Sequence, residues 1–589
     1  MKQQDKSSFT GLLLMAAILI IFNVFVFNKD TETISKSENI NNFNEENLSE
    51  NNSENKLINK ESFQKITEKE ENYILENNKI ILEFSNKGGK ITSAKIKNYY
   101  SYNEYNKHSK DLNYIRQPIE IFNGEDSDFI INGNRNINTN TLFNVIEEKN
   151  RITFEKKYSE QSFIRFIYTL NDDKENFLNL SIESNGIENP ELTWTIAAPH
   201  TEKSKTNQEQ FTGFYYQEEY SGDVDYTWDN KSFEVNEFNT ELNWIAFKQQ
   251  FFSTIINAEN NKFNSDTEFK VTLDEEDKYV KTLSLRTNIK DGESKYSIYF
   301  GPNDYNLFSS YENGYVEIFP LGFMGIDTFV NKYIIIKLFN FLRNTSGITN
   351  FGLIILILTI LIKLTLSPLT YKSYLSQAKM KVLKPEIDKA TEKYKEKDPL
   401  KAQQETMNLY RKAGVSPMGG CLPMLIQFPI LIAMFRFFPA SLDMRHKSFL
   451  WADDLSSYDS ILELGFNIPF YGDHISLFTL LMCLSTLMYT HMNSQMTSAQ
   501  MPGMKWMMYL MPVMFLGFFN NYASSLTYYY FLANIFTFFQ MYLMKRFVNN
   551  EVLLAQIEEN KKKPRKKSKF QKKLEELQKK QEQKMKRRK

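Results

Sequence analysis

The stretch LIILILTILIKLTLSPLT, residues 353–370, is the part of this chain that says most about its fold. It is long and apolar enough to cross a lipid bilayer, yet Lys363 lies about two-thirds of the way along it. A charged side chain near the middle of a membrane costs at least ~2.5 kcal/mol. Lys363 therefore either extends its ammonium group to the nearby headgroups or lies in a hydrated cavity within a helical bundle.

Polar residues at helical spacing favour the cavity. Thr359 and Ser367 lie four residues before and after Lys363, and hence on the same helix face. Three amide side chains occur in later apolar segments: Gln427, Asn534 and Gln540. Each of them could simply connect two helices, but buried amides need partners, and a shared hydrated interior supplies partners for all of them.

Further apolar segments indicate a polytopic membrane bundle. Five predicted spans cover residues 351–370, 421–439, 475–490, 506–519 and 526–543, the fourth of which is short. A sixth, GLLLMAAILIIFNVFVF at residues 11–27, indicates an N-terminal signal anchor (residues 1–28) in preference to a cleaved signal peptide, because no A-x-A-like cleavage site follows. Six spans place both termini on the same side of the membrane.

The distribution of charge gives the orientation. Residues 371–413 contain eleven lysines and arginines, residues 441–474 contain two, and the segment from Lys561 to the end contains sixteen. Cytoplasmic loops are enriched in positive charge, so both termini and the basic loop are expected in the cytoplasm.

Between the anchor and the bundle the pattern changes twice. Residues 29–71 are rich in Asn, Glu, Ser and Lys, a composition typical of a flexible tether. Residues 72–318 contain short alternating runs such as FIRFIYTL and YVKTLSLRT, which predict an all-β domain, most simply a sandwich, on the exported side.

Three flanking segments differ in composition from the domains beside them. Residues 319–345 are apolar with interruptions at Asp327, Lys332 and Lys337, which predicts an amphipathic helix lying in the membrane interface. Residues 371–413 predict a helical hairpin with breaks at Pro385 and at Asp398-Pro399. The basic tail, residues 549–589, could bind anionic lipid or RNA, or could serve only as a topology signal.

The chain lacks the motifs of several enzyme classes. It contains no G-x-x-x-x-G-K-[ST], no H-E-x-x-H and no G-x-S-x-G, so we expect no catalytic, cofactor-binding or metal site and no enzymatic activity. The two cysteines, Cys421 and Cys483, lie in or beside apolar runs, which indicates buried reduced thiols.

Four segments together resemble the YidC family of membrane protein insertases, in the form found in bacteria with two membranes. They are SPLTYKSYLSQAKMKVLKPEI (367–387), MNLYRKAGVSPMGGCLPMLIQFPILIAMF (407–435), YYYFLANIFTFFQ (528–540) and FSNKGGKITSAKIKNY (84–99). The resemblance implies a mixed fold: a periplasmic β-supersandwich, an interfacial helix and a five-helix insertase core over residues 346–548.

The same resemblance implies roles for particular residues. Lys363 occupies the position of a positively charged groove residue that is commonly arginine, so the charge is kept but the planar guanidinium is lost. Thr359 matches a groove-lining position, and Phe428, Leu431 and Tyr530 match positions along the substrate's path. With Ser367, Gln427 and Asn534, these residues form the predicted substrate groove.

The resulting functional hypothesis is an inner-membrane insertase and chaperone that acts as a monomer. Its expected partners are nascent membrane proteins, the Sec translocon, lipid, and the ribosome through the basic tail. The alternatives are a small-solute transporter that uses the polar groove and a membrane-anchored periplasmic chaperone that uses the β domain.

Overall fold

The computed structural model describes residues 69–107, 114–133, 137–171, 173–227, 232–235, 238–274, 276, 278–322, 325–345, 347–394, 398–416, 422–494 and 504–562. The predicted N-terminal anchor, almost all of the predicted tether, Cys421 and the tail beyond residue 562 lie outside these residues. The described chain divides into two compact units, residues 69–321 with 437–458, and residues 322–436 with 459–562.

The first unit consists mainly of antiparallel strands, as the alternating pattern predicts. Among its described residues are also three short α-helices, α1 (Tyr102–Lys107), α2 (Lys205–Phe211) and α3 (Tyr305–Ser309), and two short 3-10 helices, Tyr315–Ile318 and Leu442–Met444. The strands are β1 (Asn72–Glu76), β2 (Ile80–Ser85), β3 (Lys90–Ile96), β4 (Ile119–Phe122), β5 (Asp128–Gly133), β6 (Ile137–Asn138), β7 (Asn144–Glu148), β8 (Arg151–Lys157), β9 (Phe163–Leu170), β10 (Phe177–Asn185), β11 (Glu191–Pro199), β12 (Gly213–Glu218), β13 (Val224–Thr227), β14 (Phe233–Val235), β15 (Leu242–Lys248), β16 (Phe252–Ala258), β17 (Glu268–Leu273), β18 (Tyr279–Asn288) and β19 (Glu293–Pro302).

These strands form three sheets around a large apolar core, and a second, smaller apolar cluster lies around Trp244 and Tyr299. The nine-stranded sheet has the order β13-β12-β15-β16-β19-β10-β9-β8-β7, the six-stranded sheet the order β14-β17-β18-β11-β5-β6, and the four-stranded sheet the order β1-β2-β3-β4. Strand β9 alternates half-buried and buried residues along its whole length, so one face supplies the core. Aromatic rings from the two larger sheets meet there. The ring centroids of Trp194 and Phe247 are 5.2 Å apart, and Phe214 stacks on Phe269 with a centroid distance of 4.3 Å. The expected sandwich-like architecture is confirmed.

Residues 437–458 also belong to this unit, although they lie far from the strands in sequence. The Arg445 guanidinium donates to both carboxylate oxygens of Glu202, at 2.8 and 2.9 Å, and both side chains are buried. A second ion pair joins Lys203 to Asp453 at 2.8 Å. A fully buried bidentate pair fixes position and orientation together, so this segment is tightly held on the β domain.

Asp454, in the same segment, makes the stability of this unit depend on pH. Burial raises the pKa of its carboxyl from 3.8 to about 6, although the backbone N–H and the hydroxyl of Ser456 donate to it. The folded state then binds this proton more tightly than the unfolded state does, so the stability contribution falls as pH rises from about 4 to about 6. A shift of this size corresponds to about 3 kcal/mol.

Replacement of Asp454 by Asn should remove that part of the pH dependence while keeping an oxygen acceptor for Ser456. We expect the variant to melt at a higher temperature than the wild type at pH 7 and at a similar temperature at pH 4. Calorimetry of the full chain in detergent would measure this, with the exposed Asp223→Asn as control. Equal pH profiles for the wild type and Asp454→Asn would contradict the assignment.

The second unit is helical and contains one hairpin of strands. Its helical elements are α4 (Ile326–Val330), a π-helical turn (Asn331–Ile335), α5 (Ile336–Thr345), α6 (Phe351–Thr391), α7 (Pro399–Ala413), α8 (Leu422–Ala440, which ends in the other unit), α9 (Leu477–Ser494), α10 (Met504–Asn520), α11 (Ser524–Phe547) and α12 (Asn550–Lys562). The hairpin is β20 (Leu462–Ile468) with β21 (Gly472–Ile475). By length and hydropathy, α6 is the one helix among the described residues that is long and apolar enough to cross a membrane; the apolar stretches Ile426–Ala440, Leu477–Met492 and Met508–Asn520 are shorter.

One detail of the predicted helices is wrong. Pro385 does not break its helix, because α6 continues to Thr391 with Leu383 and Ile387 buried against α7. The proline lies on the exposed side, where water can satisfy the carbonyl that it leaves unpaired. Asp327, one of the polar interruptions in the segment predicted as an amphipathic helix, is buried.

The tail begins with an ordered helix. Leu553 and Ile557 of α12 are buried, and Ile557 shares an apolar cluster with Met380 of α6 and Tyr410 of α7. Lys561 pairs with Glu386 of α6 at 2.7 Å. The first part of the predicted tail is therefore the third helix of a small bundle with α6 and α7.

Candidate functional site

Lys363 is buried between three helices, with 7% of its surface exposed. Its ammonium group donates to the side-chain oxygen of Gln427 in α8 at 3.3 Å and to the hydroxyl of Thr537 in α11 at 2.9 Å. Both acceptors are neutral, and no carboxylate in the described part of the chain forms an ion pair with Lys363. Within the described residues, the site is therefore a positive charge stabilised by neutral dipoles.

Helix α11 supplies a polar stripe to this site. Asn534, Thr537 and Gln540 are spaced by three residues, so they lie along one side of the helix. Gln540 donates to the backbone carbonyl of Lys363 at 3.0 Å. Thr537 donates to Ala533 of its own helix at 2.7 Å, which leaves its oxygen free to accept from Lys363. α11 thus forms hydrogen bonds with both the side chain and the backbone of Lys363.

Asn534 joins α11 to a different neighbour. Its amide donates to the hydroxyls of Ser485 and Thr486 in α9, at 2.9 and 3.0 Å. Each of those hydroxyls donates in turn to the Met482 carbonyl. The structure therefore separates Asn534 from Lys363, and the two polar groups are linked only through α11.

The other predicted groove residues have varied positions. Thr359 is fully buried but donates to Ile355 of its own helix at 2.7 Å, so it is near Lys363 in sequence without bonding to it. Ser367, Leu431 and Tyr530 are half-buried, and Phe428 is exposed. The apolar members thus retain surface that another molecule can contact.

Thr537 was not among the predicted site residues, and neither were Ser485 and Thr486. The three-residue spacing between Asn534, Thr537 and Gln540 could have identified Thr537. Nothing in the sequence distinguishes the two residues of α9 from the many Ser and Thr residues that bond only to their own helix. Among the described residues, no group of three or more His, Cys, Asp or Glu side chains is placed to hold a metal ion.

Replacement of Thr537 by Val should remove one of the two acceptors of Lys363 without changing the side-chain shape. Hydrogen bonds to charged groups contribute about 1.5–3 kcal/mol, so we expect a clear loss of thermal stability in detergent. The matched control is Thr365→Val, since Thr365 is exposed and donates only to Leu361 of its own helix. Equal melting temperatures for the two variants would contradict the assigned bond.

Comparison with known proteins connects this arrangement to one family. Residues 341–551 match the family described as 60Kd inner membrane protein, and residues 73–336 match the YidC periplasmic domain. The membrane protein insertase YidC of Parabacteroides distasonis is 39% identical over 536 residues, which cover 85% of this chain and 82% of that protein. The chain belongs to the YidC family. The resemblance inferred from the four sequence segments is confirmed.

Other members of the YidC family align over similar lengths. The membrane protein insertase YidC of Bacteroides fragilis is 37% identical, with 87% of this chain and 85% of that protein covered. That of Amoebophilus asiaticus is 35% identical, with 95% of each chain covered. A solved galactose mutarotase-like protein from Lactobacillus casei overlaps 39% of this chain at 11% identity, with a TM-score of 0.26, and carries no inference about it.

Proposed function

We propose that this protein inserts nascent proteins into the inner membrane and helps them fold and assemble there. The observation that carries the proposal is the buried Lys363, surrounded by neutral hydrogen-bond acceptors, in a chain of the YidC family. A charge buried without an acidic partner is costly, which is typical of a functional position within a membrane bundle.

The proposed topology has six spans: the N-terminal segment and α6, α8, α9, α10 and α11. Both termini lie in the cytoplasm and residues 72–318 form a periplasmic β-supersandwich. The eleven basic residues of the α6–α7 region support this orientation. Exposed Ile326, Phe329 and Tyr333 give α4 and the π-helical turn after it an apolar face, which supports their placement in the outer interface.

In the proposed mechanism, Lys363 lies in a hydrophilic groove and attracts a polar or acidic exported segment of the substrate. A carboxylate can exchange for the neutral acceptors Gln427 and Thr537, because a charged acceptor forms the stronger bond with an ammonium. The substrate's apolar segment then moves along Phe428, Leu431 and Tyr530 into lipid. Burial of that segment supplies most of the driving free energy.

The most direct experiment is crosslinking from position 363. A photoreactive residue at 363 should form an adduct with a ribosome-stalled nascent membrane protein, and its counterpart at exposed Tyr220 of the β domain should not. Insertion of a substrate protein into liposomes that contain the purified protein completes the test. Solute flux without insertion would favour a transporter, and loss of all insertion on deletion of about residues 75–310 would favour a periplasmic chaperone.

The proposed partners include the Sec translocon and the ribosome, with the protein acting as a monomer. Since α12 is packed against α6 and α7 and ends at Lys562, the fourteen basic residues that follow Lys562 in the sequence are joined to a helix held on the bundle. Clustered positive charge binds RNA in a salt-dependent way. Truncation after Lys562 should weaken ribosome co-sedimentation at low salt and leave α12 packed. Unchanged co-sedimentation would limit the tail to lipid binding or a topology signal.

A further inference from the structure

The hairpin of β20 and β21 has an unusual surface. Phe470, at its turn, is 99% exposed, and Phe466 is 63% exposed. Three aliphatic side chains add to this surface: Ile461, Leu462 and Ile468. Residues 461–475 contain no Lys or Arg. So dense an exposed apolar surface on a two-stranded hairpin indicates contact with something apolar.

The backbone holds the aromatic residue outward. Phe470 has φ 66°, in the left-handed region, which bulky residues rarely adopt because Cβ approaches the following carbonyl oxygen. The register shifts between Glu463 and Ile468, so the residues between them, including Phe466, bulge out of the ladder. Strain of this kind persists only where the surrounding structure enforces it and is typical of functional positions.

The base of the hairpin is fixed to the ends of the apolar helices. Asp459 accepts from the backbone N–H groups of Leu477 and Phe478 at the start of α9. Asn520, at the end of α10, donates to the carbonyls of Tyr471 and His474 at 3.0 and 2.8 Å. These bonds prevent the hairpin from turning its apolar side chains inward.

The turn itself packs directly on α10. A Cβ at Gly517 would overlap the carbonyl oxygen of Phe470. Val513, Met514 and Phe518 of α10 are exposed apolar residues close to this contact in sequence. Because the turn contacts α10 at Gly517, one helical turn from Val513 and Met514, the exposed apolar residues of the hairpin and of α10 adjoin.

We propose that this hairpin is a lipid anchor that inserts Phe466 and Phe470 into the outer leaflet, at the boundary of headgroups and acyl chains. The inference rests on the proposed function, because it takes α9 and α10 as membrane spans. The start of α9 and the end of α10, which hold the hairpin, then face the periplasm. Aromatic side chains favour this depth of the membrane. The contact with α10 favours lipid over a protein partner, because the lipid that covers Val513 and Phe518 extends naturally over the hairpin.

The experiment uses an environment-sensitive fluorophore on single cysteines in a Cys421→Ser, Cys483→Ser background of the full chain in nanodiscs. The labelled variants are Phe470→Cys and Phe466→Cys. Val513→Cys on α10 is the membrane control, and Tyr220→Cys on the β domain is the water control. Each is titrated with iodide in water and with lipids that carry a nitroxide quencher near the headgroup or deep in the chain.

We expect lipids with the shallow nitroxide to quench the labels at 470 and 466 severalfold more strongly than iodide does, and Tyr220→Cys to show the reverse. Iodide quenching at both hairpin positions would overturn the proposal, as would shielding from iodide and lipid alike, which would indicate a protein partner. If nitroxide lipids quench the label at Val513→Cys but not the labels on the hairpin, the lipid-anchor proposal is wrong and the proposed spans are retained. If Val513→Cys is quenched by iodide alone, the proposed membrane placement fails as well.

Discussion

Replacement of Lys363 by Met is expected to reduce insertion of substrates with acidic exported segments by at least about tenfold, the loss that corresponds to one charge-assisted hydrogen bond. Met keeps the unbranched apolar stem of lysine and removes the ammonium group, with its charge and its hydrogen-bond donors. Lys363→Ala should have at least as large an effect, but it also leaves space between α6, α8 and α11. Lys363→Arg should retain most activity, since Gln427 and Thr537 can still accept from a guanidinium.

The readout is complementation of an insertase-depleted strain together with insertion into proteoliposomes. A substrate whose exported Asp and Glu residues are changed to Asn and Gln should be much less sensitive to Lys363→Met than the acidic original. This comparison separates a role of the charge from general damage to the bundle, which would affect both substrates equally. Normal insertion of the acidic substrate by Lys363→Met would show that the charge is dispensable.

The sequence predicts the strand-rich character of the β domain and several of its strands, but not its topology. Alternation along residues 163–170 and 279–287 identifies β9 and β18 because one face of each strand is buried. The pairing of β5 with β11 depends on which faces fit together after collapse, and no local pattern encodes it. The short helices α1 and α2 are too brief to produce a detectable helical period.

In the helical unit, tertiary packing overrides two local signals. Pro385 predicts a break, but burial of Leu383 and Ile387 against α7 and α12 maintains the helix. The basic composition of the tail obscured α12, although Leu553 and Ile557 lie four residues apart, the spacing of one apolar helix face. The high charge of the tail suggests a solvated segment, but burial of those two side chains makes its first part a packed helix.

The candidate site was predicted unevenly for a similar reason. Lys363 is conspicuous because a charge in an apolar helix is rare, and Gln427 and Gln540 follow from the cost of burying amides. Which amide contacts the lysine depends on helix rotation, which sequence spacing does not give. Asn534 was grouped with Lys363, whereas the structure pairs it with Ser485 and Thr486. The assignment of Phe428, Leu431 and Tyr530 to the substrate path stays a prediction.

Arg445 illustrates a residue whose importance only the structure reveals. In the sequence it is one of the two basic residues between positions 441 and 474, and its partner Glu202 lies 243 positions away. The pair is bidentate and buried, and Arg445 also donates to the Tyr100 carbonyl at 2.6 Å. Phe251 and Phe252 lie beneath the guanidinium, with ring centroids 5.6 and 5.3 Å from its carbon.

Replacement of Arg445 by Met should destabilise the β unit by about 3–5 kcal/mol, because it leaves Glu202 buried without its cation. The double variant Arg445→Met, Glu202→Gln should recover part of this loss, since no uncompensated charge remains. Arg286→Met is the control, as the exposed Arg286–Glu268 pair should contribute no more than about 1 kcal/mol. Chemical unfolding of the full chain in detergent measures all three, and proteolysis within residues 437–458 reports release of the segment. A double variant less stable than Arg445→Met would show that packing and the Tyr100 bond, and not the orphaned carboxylate, dominate the effect.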